Sequence, residues 1–106
     1  MRKPIQSREE ASRWEPDCAA YFEKYQGGLF DDFNQIQFVL SSENLIANIE
    51  KGELIFGYAG VDGIFFCFLE GKPGVWAYYG IDDHYVLIAP SISVLVSKWK
   101  MREIVL

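Results

Sequence analysis

The feature that most constrains the fold is a series of short apolar runs in the second half of the chain. The runs cover residues 53–58, 64–69, 75–79 and 85–89, and the segments between them are rich in Gly, Pro and Asp. Runs of this length and spacing are typical of antiparallel strands joined by tight turns. The sequence therefore predicts an antiparallel meander over these four runs.

The segment GYAGVDG, residues 57–63, raises the question of a phosphate-binding loop, because its three glycines follow an apolar run. Such a loop presents backbone N–H groups, and usually a helix N-terminus, to the anion. The glycine spacing matches neither the dinucleotide-binding nor the Walker pattern, and the residues that follow, IFFCFL, are all apolar. We therefore interpret the segment as a turn between two strands, in which Asp62 and Gly63 tolerate the hairpin conformation.

The first half of the chain predicts a helix and a strand. In residues 16–26 apolar side chains recur every three or four positions, after a proline that suits a first helical position and before Gly27 and Gly28. Glycine is common where a helix ends. Residues 33–40 alternate between apolar and polar side chains, which predicts a strand with one solvated face.

Two further segments carry a helical pattern. Residues 42–50 predict a second helix, because their apolar side chains share one helical face before Gly52. Residues 91–100 fit a helix capped by Ser91, but their valine and isoleucine content also fits a strand. Together the elements predict an α+β fold, a largely antiparallel sheet with helices packed on one face, formed by residues 1–106 as a single domain. Five side chains are expected to be largely buried: Tyr21, Phe22, Ile49, Phe66 and Phe68.

Composition narrows the classes of function. The chain has 10 Lys and Arg against 15 Asp and Glu, a net charge of −5, which disfavours nucleic-acid binding and favours encounter with a basic partner. No uncharged apolar stretch approaches the roughly 20 residues of a membrane helix. Cys18 and Cys67 lie in apolar surroundings without a redox or zinc motif, so we expect free, buried thiols in a cytoplasmic protein.

The polar residues offer little for catalysis. His84 is the chain's single histidine and follows Asp82 and Asp83. Neighbouring residues in extended chain point to opposite faces and rarely converge on one ion, so we interpret the segment as a solvated turn rather than a metal site. Nucleophilic catalysis needs a base beside Ser or Cys and a group that orients it. We therefore expect no enzyme activity, no metal and no cofactor.

The segment VWAYYG, residues 75–80, places two aromatic rows on opposite faces of a strand. Trp76 and Tyr78 share one face, and Val75, Ala77 and Tyr79 share the other. If helices cover only one face of the sheet, one row is exposed or only partly covered, and aromatics beside aspartates are typical of interface hot spots. The alternative is that both rows belong to the core.

Three segments, in this order, resemble the SUKH superfamily. WEPDCAAYFEKYQGGLF, residues 14–30, resembles the helix and glycine corner near the start of the family's domain. LIFGYAGVDGIFFCFLEGKPGVWAYYG, residues 54–80, resembles its core hairpin, and APSISVLVSKW, residues 89–99, its closing helix. Two departures are that Gln26 stands where the family commonly has asparagine, and that the region between the first two segments is short.

The resemblance implies a non-enzymatic, cytosolic α+β domain. Bacterial members of the superfamily are largely immunity proteins that neutralise polymorphic toxins, often nucleases, whereas eukaryotic relatives act as regulators and interaction scaffolds. On this basis we expect a protein-binding module whose partner is a basic toxin domain. The residues expected to contact it are Asp31, Asp32, Trp76, Tyr78, Asp82 and Asp83. The alternative is a small-ligand-binding domain with an apolar pocket between sheet and helices, lined by Phe66, Phe68 and Trp76, and a hydrolase ranks last.

Overall fold

The computed structural model describes residues 2–5, 7–60 and 63–103 of the chain. They form an eight-stranded, largely antiparallel sheet and one α-helix, an α+β arrangement with little helix. The strands are β1 (Arg2–Pro4), β2 (Leu29–Asp31), β3 (Ile36–Val39), β4 (Ile46–Asn48), β5 (Glu53–Tyr58), β6 (Ile64–Leu69), β7 (Lys72–Tyr79) and β8 (His84–Ala89), and the helix is α1 (Ile92–Lys100).

The predicted meander is confirmed. The sheet has the order β1-β4-β5-β6-β7-β8, so the four strands from β5 to β8 are neighbours in both sequence and space. Strands β5 and β6 have the predicted bounds, while β7 and β8 begin three residues and one residue earlier than predicted. Strand β3 pairs with the end of β5 and carries β2 as its other neighbour, so the segment predicted as one strand over residues 33–40 is a shorter strand within a hairpin.

The glycine-containing segment is the turn between β5 and β6, as the pattern predicts. Gly60 and Gly63 adopt φ angles of +80° and +77°, which favour glycine. Asp62, predicted to help form the turn, lies outside the described residues. Gly57 belongs to β5 itself, where a Cβ atom would lie 2.2 Å from the carbonyl oxygen of Phe38. Glycine at that position therefore permits the close pairing of β3 with β5.

The helix predicted over residues 42–50 is wrong. The segment forms β4 between two short 3-10 turns, and Leu45 and Ala47 point into the core with 1% and 0% exposure. Leu45, Ala47 and Ile49 also alternate as apolar residues do in a strand, and the pairing of this segment with β5 favours the strand over the helix. Ile49 lies in the second 3-10 turn and is half-buried, not largely buried as predicted.

The helix predicted over residues 16–26 is shorter in the structure, where residues 19–25 are helical. Ala19 and Ala20 are α-helical and lead into a π-helical turn, Tyr21–Tyr25, in which Tyr21 and Phe22 are buried as expected. The Tyr21 hydroxyl donates a 2.6 Å hydrogen bond to the Leu40 carbonyl, which fixes the turn against the chain that follows β3. The predicted layer of helices on one face of the sheet is therefore not formed.

The two possibilities for residues 91–100 are resolved in favour of the helix. The Ser91 hydroxyl accepts a 3.2 Å hydrogen bond from the Val94 amide, which is the expected N-cap. Ile92, Leu95 and Val96 are buried in the main core. The cap and the apolar stripe together outweigh the strand preference of the β-branched residues.

The two faces of the meander bury different side chains. Phe66 and Phe68 lie in the main core, with 0% and 1% exposure as predicted. Ile55 and Cys67 pair with each other on the opposite face, where they are also buried. Cys67 and Cys18 are free thiols, in agreement with the sequence-based prediction.

Candidate functional site

A set of large side chains occupies the face of the meander opposite the main core. Strand register aligns Tyr58, Phe65, Tyr78 and Tyr85 in one row, and Cys67, Trp76 and Leu87 in the next. They share a face because side chains alternate along each strand and neighbouring strands are in register. We call Tyr58, Phe65, Trp76, Tyr78, Tyr85 and Leu87 the aromatic face.

The rings of the aromatic face pack against one another and remain partly in solvent. The centroids of Phe65 and Tyr78 lie 4.8 Å apart in a stacked arrangement, and Tyr78 lies 4.8 Å from Tyr85. Tyr58 and Leu87 are 41% and 54% exposed, and the remaining side chains of the aromatic face are half-buried. Trp76 and Tyr78, which lie on one side of β7, are therefore partly covered. Val75, Ala77 and Tyr79, on the other side of β7, face the main core.

Lys51 fixes Tyr78 and the turn after β7. Its ammonium group lies 3.0 Å from the Tyr78 hydroxyl and 3.1 Å from the Asp83 carboxylate, and that hydroxyl also donates to Asp83. These hydrogen bonds, first with Tyr78 and then with Asp83, raise the pKa of Lys51. The hydrogen bond from Tyr78, followed by the contact with Lys51, lowers the pKa of Asp83. Both groups are therefore charged at neutral pH.

A buried carboxylate lies on the same face as the aromatic residues. Glu53 is 1% exposed and accepts a hydrogen bond from the Tyr85 hydroxyl. Its neighbour in β4, Asn48, has a buried amide oxygen that finds no hydrogen-bond partner among the residues that the structure describes. The roles of Lys51, Glu53 and Tyr85 are absent from the sequence-based prediction. Glu53 and Ile55 are two positions apart in β5, so their side chains lie on the same face of the sheet. This spacing is the one sequence signal that would have placed Glu53 on this face.

The turn after β7 forms a rim beside the aromatic face. Ile81 is 88% exposed, and Asp82 and Asp83 are exposed beside it. His84 stacks on Tyr79 at 5.1 Å between ring centroids. Within the described parts of the chain, no group of three or more His, Cys, Asp or Glu side chains could hold a metal ion.

Asp31 and Asp32 lie at a different place, beside a cleft between the β2–β3 hairpin and the end of α1. Asp31 accepts hydrogen bonds from the Phe33 amide (3.0 Å), from the Asn34 amide (3.2 Å) and side chain (2.8 Å), and from the Trp99 indole (2.8 Å). These bonds, chiefly that of the Asn34 side chain, lower the pKa of Asp31. Asp31 therefore organises the hairpin and holds it against the helix.

The cleft opens on the side of the sheet opposite the aromatic face. Trp99 packs on Phe38 and Phe66, both of which belong to the main core. The cleft has a volume of about 350 Å³. Its lining includes Leu29, Phe30, Asp31, Asp32, Phe33, Asn34, Phe38, Val96, Trp99, Lys100 and Arg102. The structure thus brings Trp76, Tyr78, Asp82 and Asp83 together but separates them from Asp31 and Asp32.

The pocket predicted from Phe66, Phe68 and Trp76 is not formed by those residues. Phe66 and Phe68 are buried in the main core, and Trp76 is on the other face of the sheet. Sequence alternation already separates Trp76 from the two phenylalanines once the register of β6 and β7 is known.

Comparison with known proteins gives no relative from which to transfer a function. No family model, curated protein or solved structure matches the chain. The SUKH resemblance therefore stays a prediction. Among the described residues, no helix is long and apolar enough to cross a membrane.

Proposed function

We propose that this protein is a protein-binding module that contacts its partner through the aromatic face. The observation that supports the proposal most strongly is the continuous row from Tyr58 through Phe65 and Tyr78 to Tyr85. These rings are held in place by strand pairing and mutual stacking while part of their surface remains in solvent. Preordered aromatic side chains lose little conformational entropy on binding, and such residues dominate interface hot spots.

A basic protein is the partner that best fits the charge of the chain. The net charge is −5, and Asp82 lies exposed in the rim next to Ile81. Negative charge beside an apolar contact surface raises the rate of association with a cationic partner. The SUKH resemblance refines the proposal to an immunity protein that neutralises a nuclease-type toxin in the cytoplasm, where thiols such as Cys18 and Cys67 remain reduced.

Binding, rather than catalysis, is the activity that the reactive side chains support. Lys51 is held in its protonated form by Tyr78 and Asp83, so it is a poor base or nucleophile. Burial raises the pKa of Cys18 to about 11 and also raises that of Cys67. Thiols become strong nucleophiles only as thiolates, so both cysteines are unreactive at neutral pH.

The test is a titration against purified toxin domains encoded near the gene, in catalytically inactive form. We expect saturable binding that weakens by about 2 kcal/mol, roughly 30-fold in Kd, when Trp76 or Leu87 is replaced by alanine. Phe30→Ala is the matched control, because Phe30 is a 52% exposed aromatic side chain at the cleft. Circular dichroism checks that each variant is folded.

Two results would count against the proposal. If a partner binds with unchanged affinity to folded Trp76→Ala and Leu87→Ala variants, the contact surface lies elsewhere. If Phe30→Ala weakens binding as strongly as these variants, the aromatic face has no special role.

A further inference from the structure

We infer that the cleft between the β2–β3 hairpin and α1 is a binding site for a planar aromatic group that carries a carboxylate. This inference is independent of the aromatic face, because the cleft lies on the other side of the sheet. A volume of about 350 Å³ is sufficient for a small organic ligand, since such sites usually have roughly 300–1,000 Å³.

The floor of the cleft is apolar and flat. Trp99 stacks on Phe38 with 4.2 Å between ring centroids and 12° between ring planes, and Val96 adds a nearly buried side chain. Phe30 and Phe33 form the walls and are 52% and 72% exposed. Exposed phenyl rings above an indole floor match a flat aromatic ligand, which would remove apolar surface from water on several sides.

Two cations at the cleft are available for an anion. Lys100 and Arg102 both line the cleft, and neither has an ion pair within the described residues. The Arg102 guanidinium lies 4.1 Å from the centre of the Phe33 ring, so it is already placed beside the aromatic wall. The dipole of α1 explains a preference for cations near its end, but not their position beside exposed aromatic rings. A guanidinium can bind a carboxylate through two parallel hydrogen bonds.

The carboxylates of the cleft do not reverse this preference. Asp31 already accepts four hydrogen bonds from Phe33, Asn34 and Trp99. Asp32 is thus the one carboxylate of the lining that has no hydrogen bond to its side chain within the described residues. The lining thus carries two cations and two carboxylates, and the preference for an anion rests on placement rather than on net charge. Lys100 and Arg102 have no ion pair within the described residues, whereas the Asp31 carboxylate is directed at its own hairpin and at Trp99.

The same chemistry occurs in a free aromatic acid and in the C-terminal aromatic residue of a peptide. Matched probes distinguish these sources: 2-naphthoate, 2-naphthylmethylamine, and a Gly-Gly-Phe peptide with a free or an amidated C-terminus. NMR of the three tryptophan indole N–H groups gives the readout. Trp99 reports on the cleft because its N–H donates to Asp31, and Trp76 reports on the opposite face.

We expect 2-naphthoate to shift the Trp99 indole signal saturably and to leave the Trp76 signal unchanged, and we expect the amine to bind more weakly. Binding of the free peptide but not the amidated one would identify a peptide C-terminus as the ligand class. Arg102→Gln and Lys100→Gln should each weaken naphthoate binding by about fivefold, the scale of an exposed ion pair. Phe33→Ala should weaken it by a similar factor, because it removes an aromatic contact with the ligand. Lys72→Gln is the matched control, because it also removes a cation beside an aromatic ring. That ring is Trp76, whose centre is 5.9 Å from the Lys72 ammonium group and which lies on the other face of the sheet.

Three outcomes would overturn the inference. The first is the lack of any saturable shift of the Trp99 signal with 2-naphthoate or the free peptide. The second is tighter binding of the amine than of the acid, which would reverse the charge preference. The third is unchanged affinity in folded Arg102→Gln and Phe33→Ala variants, whose substitutions are both at exposed positions.

Discussion

Tyr85 in β8 donates a hydrogen bond from its hydroxyl to the carboxylate of Glu53 in β5, across the two strands that lie between them. Glu53 is 1% exposed, and a carboxylate is buried favourably only when it has a donor. The bond therefore links β8 to the middle of the sheet and satisfies a polar side chain buried beneath the aromatic face.

Replacing Tyr85 with phenylalanine should remove this donor while retaining the ring. We expect the free energy of unfolding, measured by urea denaturation at pH 7, to fall by about 1–3 kcal/mol, because Glu53 loses its hydrogen bond. Tyr79→Phe is the matched control, since the Tyr79 hydroxyl makes no hydrogen bond within the described residues. Equal stability of the two variants would show that water replaces the tyrosine at no cost.

Phe65 and Phe66 are adjacent in sequence but lie on opposite faces of β6, which gives a matched pair. Phe66 is 0% exposed and packs edge-on against Phe38 and Trp99. Phe66→Ala should cost about 3–5 kcal/mol of stability, as expected for an aromatic side chain deleted from a core. Phe65→Ala should cost clearly less, because its ring is only half-buried. Chemical unfolding that shows equal losses would contradict the assignment of the two faces.

The sequence correctly predicts those strands and helices that have a clear local pattern of side chains. Strands β5 and β6 appear as apolar runs bounded by glycines, and the helix after Ser91 carries both a cap and an apolar stripe. The helix predicted over residues 42–50 fails because the decisive interaction, the pairing of β4 with β5, is tertiary. Local propensity cannot rank a strand against a helix when both patterns fit.

The candidate site is predictable only in part for the same reason. Strand alternation places Trp76 and Tyr78 on one face, and adjacency in sequence brings Asp82 and Asp83 close to them. The hydrogen bond between Trp99 and Asp31 joins residues 68 positions apart, so no local pattern indicates that Asp31 has a structural role. The contact of Lys51 with Tyr78 spans 27 positions and is equally hidden.

The two buried thiols predict a response to alkaline pH. Burial raises the pKa of Cys18 from 9.0 to about 11 and also raises that of Cys67. A group whose pKa is higher in the folded state contributes stability below its ordinary pKa, and this contribution is lost as pH rises through the folded value. We therefore expect the urea midpoint of the wild-type protein to fall as the pH is raised from 9 to 11. The urea midpoint of a Cys18→Ala variant, measured relative to the midpoint of the same variant at pH 8, should fall less.

A thiol reagent tests the same burial directly. At pH 8 the native protein should react with a disulfide reagent far more slowly than the urea-unfolded protein, in which two thiols become accessible. Rapid reaction of either cysteine in the native state would place that thiol at the surface.

Gly57 and Gly27 test the close pairing of β3 with β5. A Cβ atom on Gly57 would lie 2.2 Å from the backbone oxygen of Phe38, so Gly57→Ala must displace a strand and should destabilise the protein by about 1–3 kcal/mol or more. At Gly27 a Cβ atom would meet nothing within 4 Å, and Gly27→Ala should leave the urea midpoint nearly unchanged. Tolerance of alanine at Gly57 would mean that β3 does not approach β5 as closely as the structure shows.

Asp31 and Asp32 are neighbours in sequence, but their environments predict different roles. Asp31 accepts four hydrogen bonds, one of them from Trp99, whereas Asp32 is exposed. Asp31→Ala should therefore lower the urea midpoint at pH 7, and Asp32→Ala should leave it nearly unchanged.

The same pair predicts a response to acid. Hydrogen bonds, first that of the Asn34 side chain, hold the pKa of Asp31 below its ordinary value of 3.8. Its contribution is present above that value and is lost as the pH falls through the lower, folded value. The difference in urea midpoint between wild type and Asp31→Ala should thus be largest near neutral pH and shrink in strong acid. A difference that persists unchanged in acid would show that Asp31 acts through its shape rather than its charge, and equal midpoints for the two alanine variants at pH 7 would remove its structural role altogether.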